Sequence, residues 1–167
     1  MNCRIRQAEL NDLEEVSGVL REAAQWLEHK GMALWLDSEL SPERMREEVG
    51  AGLFYVAEDD DEIAGVIRFQ LEDPEFWPDA APDEAAYIHR LAVRRRYAGG
   101  QVSLQLLDWA LEKTRLLGRN WLRMDTETHR TRLREIYEKY GFQYHSDKQV
   151  GPYRVTRYEY PINQGAT

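Results

Sequence analysis

A mixed α/β domain, one sheet covered by helices, is the fold class this sequence predicts, and three observations predict it. Short β-rich runs bounded by turn residues alternate with stretches whose apolar residues recur at helical spacing. No period of roughly 20 to 50 residues repeats, which argues against a solenoid or propeller. The 167 residues also match the usual size of one domain, enough to bury about two-thirds of the unfolded surface. Nothing marks a boundary, so residues 1–167 read as a single domain, with an ordered core over 3–161 and a tail over 162–167.

Each element has its own signal. Residues 4–8 make a first strand, and Asn11 with Glu14 three places on suggests a capping box for a helix. Leu13, Val16, Val19, Leu20, Ala23 and Leu27 give that helix one apolar stripe, and Gly31 ends it. An apolar connection, Gly31 to Trp35, precedes a second helix that Ser41 can cap with Pro42 in its first turn, ending near Gly50. Leu53–Ala57 and Ile63–Leu71 flank the acidic turn 58–62 as a hairpin, the second strand alternating so that one face is buried. Residues 73–83 hold three prolines beside Phe76 and Trp77 and read as an ordered loop, long enough to be functional. Ala86–Val93 is the next strand, followed by Arg94, Arg95 and Arg96, a glycine-containing loop, and a helix with Leu104, Leu107, Ala110, Leu111 and Leu117 on one side until Gly118. Trp121–Asp125 forms a strand, Arg132–Tyr140 a helix stopped by Gly141, and 153–160 a last strand.

Composition narrows the function classes. Hydrophobic residues make up 43% and charged residues 31%, the balance of an ordered globular chain. A net charge of −8 disfavours nucleic acid, because the three arginines come without interleaved aromatic platforms, and mildly favours cationic small molecules. Cys3 stands alone, no charged and apolar leader opens the chain, and no apolar run nears the roughly 20 residues of a membrane span. The expectation is a cytoplasmic protein with no membrane partner. Four histidines and one cysteine show no metal-ligand spacing, so no metal is expected.

The stretch from Tyr87 to Ala110 carries the chemistry. A strand, a glycine loop and a helix start offer unpaired backbone N–H groups and a positive dipole end, which suit a phosphate or pyrophosphate. The same pattern serves as a plain tight turn, and the arginines beside it fit either a phosphate pair or a solvated edge. Neither GxGxxG nor GxxxxGK[ST] is present, which disfavours NAD and ATP.

The order Tyr87-Ile88-His89-Arg90-Leu91-Ala92-Val93, the arginines, Tyr97-Ala98-Gly99-Gly100 and Leu106-Leu107-Asp108-Trp109-Ala110 resembles the acetyl-CoA-binding region of GNAT N-acetyltransferases. Leu133 to Phe142 is similar to that family's LxxxYExxGF segment, and the element order from residue 4 to about 160 matches its fold. The resemblance implies a mostly antiparallel sheet of six or seven strands with a central splayed parallel pair, flanked by about four helices. It implies acetyl-CoA as cosubstrate, with pantetheine along the backbone of Leu91, Ala92 and Val93 and pyrophosphate on Ala98, Gly99, Gly100, Gln101, Val102 and Ser103. Family loops usually read Q/R-x-x-G-x-G/A, so Ala98, Gln101 and Ser103 depart from the pattern. Gln101 matters most, since a side chain there obstructs backbone approach or is strained if φ is positive. Arg130 replaces a common Asn, and its charge suits a cofactor phosphate.

Transfer of acetyl to an amine needs a base, an oxyanion donor and an acid for the thiolate. By resemblance Tyr137 is the acid, although a helix Tyr beside Ile136 is also ordinary core. His89 suits the base, or a satisfied structural role, and a backbone N–H near Leu91 suits the oxyanion. Trp35, Trp77 and Tyr87, with Phe76, fit an acceptor pocket, core packing or a dimer contact. The acidic loop residues Glu75, Asp79, Asp83 and Glu84 read as ordinary loop charges. The expected function is acetyl-CoA-dependent N-acetyl transfer to a small-molecule or exposed primary amine. A GNAT-fold protein with a degenerate cofactor loop, serving as a sensing or interaction module, is the alternative. The tyrosine-rich last strand suits a homodimer edge.

Overall fold

The computed structural model describes residues 2–31, 35 and 37–162. The expected connection at Met32–Leu34 and the tail beyond Ile162 lie outside them. Seven strands form one sheet: β1 (Arg4–Gln7), β2 (Phe54–Asp59), β3 (Glu62–Gln70), β4 (Ala85–Val93), β5 (Trp121–Glu127), β6 (Gln143–Val150) and β7 (Tyr153–Pro161). Their order is β1-β2-β3-β4-β5-β7-β6. The β1–β2, β2–β3, β5–β7 and β6–β7 pairs are antiparallel, and β4–β5 is parallel. Among the described residues four α-helices accompany them: α1 (Leu13–His29), α2 (Pro42–Gly50), α3 (Val102–Leu116) and α4 (Thr131–Tyr140). The expected fold class holds.

Packing divides the chain into two compact units, Met1–Phe69 with Arg90–Trp109, and Gln70–His89 with Ala110–Thr167. In the first, the α1 stripe buries Val16, Val19 and Leu20 against Met45 and Val49 of α2 and Phe54, Val56, Ile63 and Val66 of the sheet. Each such side chain is worth about 1.5–3 kcal/mol of burial. The capping box that forms is not one of Asn11 and Glu14 on α1 but one of Glu9 and Asp12 on a 3-10 turn, Leu10–Asp12, that precedes the helix: Asp12 Oδ2 accepts from the Glu9 N–H at 2.8 Å. Arg6 pairs with the same carboxylate at 2.8 Å, which holds Asp12 below the usual carboxylate range and favours the earlier start. Ser41 does cap α2, accepting from the Arg44 N–H at 3.3 Å, with Pro42 at the first position. The alternation expected of β3 is not found. Ala64, Val66 and Ile67 are all buried beside Ile63 and Phe69, as in a strand covered on both faces.

In the second unit, β5 pairs with β7 over seven residues, and β6 closes back on β7 through the turn at Gly151. Trp77, from the loop before β4, is 3% exposed and packs with Ala85 and Tyr87. The guanidinium groups of Arg123 and Arg157 each lie 4.6 Å from its ring centre, a desolvated cation–π arrangement. Arg157 bonds Asp79 at 2.8 Å and the Phe76 carbonyl at 3.1 Å, and Arg123 pairs with Glu84 at 2.6 Å and Glu159 at 3.1 Å. Buried charges so paired fix the long loop to strands β5 and β7.

Across α3 the buried stripe is Val102, Leu106, Leu107, Ala110 and Thr114, whereas Leu104 and Leu117 are exposed. Ile136 of α4 is likewise exposed.

Candidate active site

The parallel ladder between β4 and β5 holds three pairs, Ala85↔Trp121, Ala86↔Leu122 and Tyr87↔Arg123. Both strands continue beyond it, to Val93 and Glu127. Two residues past the last pair stand His89 and Asp125. By the period-two rule they share a face with Tyr87 and Arg123, whose side chains meet at 3.4 Å. Their imidazole and carboxylate lie 3.8 Å apart, His89 Nδ1 to Asp125 Oδ2.

His89 has a second acidic neighbour. Its Nε2 lies 2.7 Å from Asp73 Oδ2. A carboxylate oxygen accepts, so the partner assigns the shared proton to Nε2. Asp73 is buried, and its other oxygen accepts from the Phe76 N–H at 3.3 Å while its carbonyl receives the Trp77 N–H at 2.8 Å. The Phe76 ring stands 5.6 Å from the imidazole.

Burial pushes Asp125 up to about 6, with Asp73 and Glu75 adding to the rise and His89 opposing it. Asp125 Oδ2 is buried and makes no hydrogen bond. Burial likewise pushes the Tyr137 hydroxyl up to about 12, and the negative charge of Asp125 contributes. Tyr137 therefore keeps its proton at neutral pH. Its ring meets Phe142 edge-on at 5.9 Å, just past the glycine that ends α4.

In the first unit, the loop expected to take pyrophosphate has one left-handed residue, Gly99 at φ 79°, with open space where a Cβ would stand. Gln101 is exposed and has no positive φ, and its carbonyl accepts the Gln105 N–H at 2.9 Å as α3 begins. The strain considered for position 101 is thus absent. The N–H groups of the first turn, from Val102 and Ser103 onward, are left without intrahelical acceptors. The arginine run is engaged within this unit. Arg94 Nε donates to the Ile63 carbonyl at 3.2 Å, Arg95 covers Trp26 at 3.8 Å, and Arg96 pairs with Glu62. Tyr97 donates to Asp59 at 2.9 Å. Upstream, Arg90 stands within β4 at φ 55°, just before Leu91, Ala92 and Val93. Its guanidinium covers Trp35 at 5.5 Å.

Of the other predicted residues, Tyr87 and Trp77 sit in one buried aromatic cluster, and Trp35 packs beside the core of the first unit. Arg130 pairs with Glu127 at 3.4 Å. Asp79 and Glu84 hold arginines of the sheet, and Asp83 lies 3.4 Å from Arg119. The loop charges are ordinary ion pairs at these positions. Asp73 and Asp125 were not singled out by sequence reasoning. They lie 52 residues apart, with no shared motif; strand register joins Asp125 to His89, and the loop before β4 brings Asp73 to it.

A seven-stranded sheet that parts at a central parallel pair, with a glycine loop leading into a helix, defines an acyltransferase class of fold. The family model for the acetyltransferase (GNAT) family matches residues 19–142, more than half of the chain, and the protein belongs to that family. It is 28% identical over 140 residues to the uncharacterized N-acetyltransferase YesJ of Bacillus subtilis, covering 80% of this chain and 77% of the relative. A GNAT-family acetyltransferase from Listeria monocytogenes superposes with a TM-score of 0.80 at 21% identity, over 96% of this chain and 95% of the other. The PaiA N-acetyltransferase of Thermoplasma acidophilum, solved in complex with coenzyme A, gives 0.75 at 21% identity, over 96% and 100%. Among the described residues, no helix is long and apolar enough to cross a membrane.

Proposed function

We propose that the protein transfers acetyl from acetyl-CoA to the primary amine of a small molecule or exposed amino group, by direct attack in a ternary complex. The observation that carries this reading is the parting of β4 and β5 at His89 and Asp125, directly after three paired residues. An acid and a base of the kinds the reaction needs stand in the second unit. The loop also suits the cofactor: Gly99 leaves its backbone open, Gln101 is exposed without strain, and a helix start such as that of α3 offers N–H groups without intrahelical acceptors. The alternative, a sensing or interaction module with a degenerate loop, rests on obstruction by the Gln101 side chain, and the absence of backbone strain at 101 favours the enzyme reading over it.

In this reading the pantetheine arm runs along the backbone of Leu91, Ala92 and Val93, and the pyrophosphate meets Ala98 to Ser103. Arg130 is the candidate for a further phosphate contact, and Trp35, Trp77 and Tyr87 are the candidates for acceptor contacts. His89, held by Asp73, accepts the amine proton, so that a neutral nitrogen attacks the thioester carbonyl. A backbone N–H near Leu91 stabilises the tetrahedral oxyanion. Tyr137, protonated at neutral pH, gives its proton to the departing thiolate.

Calorimetric titration with acetyl-CoA, with CoA in parallel and Gln101→Gly beside the wild type, tests the reading. The expected result is micromolar or tighter binding to both proteins. Binding seen only in the variant would mean that the loop is disabled, and the sensing module would take its place.

A further inference from the structure

Among the described residues Arg90 has no carboxylate bonded to it. Its guanidinium makes one hydrogen bond, from Nη1 to the Glu39 carbonyl at 3.4 Å, which is long for such a bond. One face lies over the Trp35 ring, 5.5 Å from its centre. The nearby acids are engaged elsewhere or act at a distance. Glu48, buried on α2, accepts from Arg44 Nε at 3.2 Å and from Arg68 Nη1 at 2.9 Å, both on Oε1. Glu48 and Glu39 reach Arg90 only through their field, while Arg68 and Arg44 repel it. Three arginines are thus set against two glutamates, which leaves one positive charge uncompensated. Arg68 Nε, moreover, is buried and makes no hydrogen bond. All of these residues belong to the first unit.

We propose that Arg90 is a binding site for the carboxylate of a small molecule, seated edge-on against the guanidinium with Trp35 on its face. An aromatic ring stacked on a guanidinium leaves the in-plane N–H groups pointing outward, in the fork that matches the two oxygens of a carboxylate. Arg90 is partly exposed, so this fork is open to a ligand. Arg44 and Glu48 line a cavity of about 520 Å³ together with Ser38 and Ser41, so the cluster borders open space rather than sealed core. The single uncompensated charge selects a monoanion, because a dianion meets more repulsion from Glu39 and Glu48 than it neutralises. The inference goes beyond acetyl transfer and uses none of His89, Asp125 and Tyr137.

Glu48 is the internal rival, since its Oε2 is buried without a hydrogen bond and a turn of the side chain would offer Arg90 a partner from within the fold. The two guanidinium groups on Oε1 oppose that turn.

The test uses full-length protein labelled with 15N in arginine, at an ionic strength held constant with sodium chloride. Sodium butyrate is titrated, with butyramide as the uncharged isostere and sodium sulfate as the dianion. Arg90→Lys keeps the charge and loses the fork; Arg90→Gly removes the guanidinium where the backbone suits glycine. Loss of a signal in either variant identifies the Arg90 Nε–H. The expected result is a saturable shift of that signal with butyrate, none with butyramide and a weaker one with sulfate. Calorimetric affinity for butyrate should fall about tenfold or more in both variants. Equal responses to butyrate and butyramide would overturn the proposal, as would a butyrate response that does not saturate, tighter binding of sulfate, or undiminished affinity in Arg90→Gly. Because the wild-type signal is read on Arg90 itself, the test stands where one of the variants does not fold. Acetyl-CoA binding without a butyrate response overturns this inference alone; a butyrate response without acetyl-CoA binding overturns the acetyl-transfer reading and leaves the carboxylate site.

Discussion

Replacing Asp125 with asparagine should stabilise the protein, and more so as pH rises. In the fold the carboxyl is pushed from 3.8 to about 6. The side chain is 9% exposed, so solvent screening takes little from the effect. A group whose folded value is raised binds its proton more tightly in the native state, so its stabilising contribution is complete below pH 3.8 and lost as pH climbs through 6. At about 1.4 kcal/mol per pH unit, the gap is worth about 3 kcal/mol at neutral pH. Asparagine has the same shape and no charge to desolvate. Relative to the wild type, the variant should therefore gain about 3 kcal/mol between pH 4 and pH 8, or roughly 6–12 °C in Tm for a chain of this size. The charged groups acting on Asp125 are His89, Asp73, Glu75 and Arg157, and the comparison at one pH holds all of them in place. Urea unfolding of both proteins at steps from pH 4 to pH 8 is the assay. A difference that stays flat with pH, or one that favours the wild type more at pH 8, would refute the assignment of a desolvated carboxyl at this position.

Three further outcomes are expected. Tyr137→Phe should lower kcat by about 10²–10⁴ with acetyl-CoA affinity unchanged, measured by steady-state rates and calorimetry; since the hydroxyl is pushed up to about 12, the wild-type rate should show no loss assigned to Tyr137 up to pH 10. Trp77→Ala should cost about 3–5 kcal/mol in denaturant unfolding, because a ring 3% exposed leaves a cavity between two guanidinium groups; a cost below about 1 kcal/mol contradicts its buried role. Gly141→Ala should destabilise more than Gly99→Ala: both glycines have positive φ, worth about 1–2 kcal/mol, but a Cβ at 141 would stand 2.7 Å from the Tyr160 ring and one at 99 meets nothing. Equal losses in thermal unfolding would show that the contact with Tyr160 is relieved without cost.

How far the sequence could be read depended on whether a residue's role was local. Ser41, Pro42, Gly31 and Gly118 act on adjacent backbone, and the element ends they predict are found. Strand β6 escaped notice because Gln143 to Val150 lines an edge, and its mostly exposed polar side chains carry no apolar alternation to detect. The β3 alternation failed for the opposite reason, since burial on both faces erases the period. Spacing alone points to Asn11, because it cannot see the bond from the Glu9 N–H to Asp12 that Arg6 supports. The site was legible in part: Tyr137 and His89 lie in stretches that resemble a family, whereas Asp73 and Asp125 acquire meaning only from register and a loop tied down by arginines. Gln101 carries no backbone strain, because the left-handed turn falls at Gly99.

Position 90 sets two demands against each other. The backbone there asks for a residue without a Cβ, since φ 55° costs an ordinary side chain about 1–2 kcal/mol. Glycine would satisfy it, yet the residue is arginine, whose guanidinium donates to the Glu39 carbonyl at 3.4 Å and lies in the field of Glu48. The side chain's contacts with the Glu39 carbonyl and the Trp35 ring offset the strain, and so the turn before Leu91 is held by tertiary contacts rather than by conformational preference. The shape of this turn therefore depends on partners far away in sequence, whereas a glycine in its place would adopt the same φ without them.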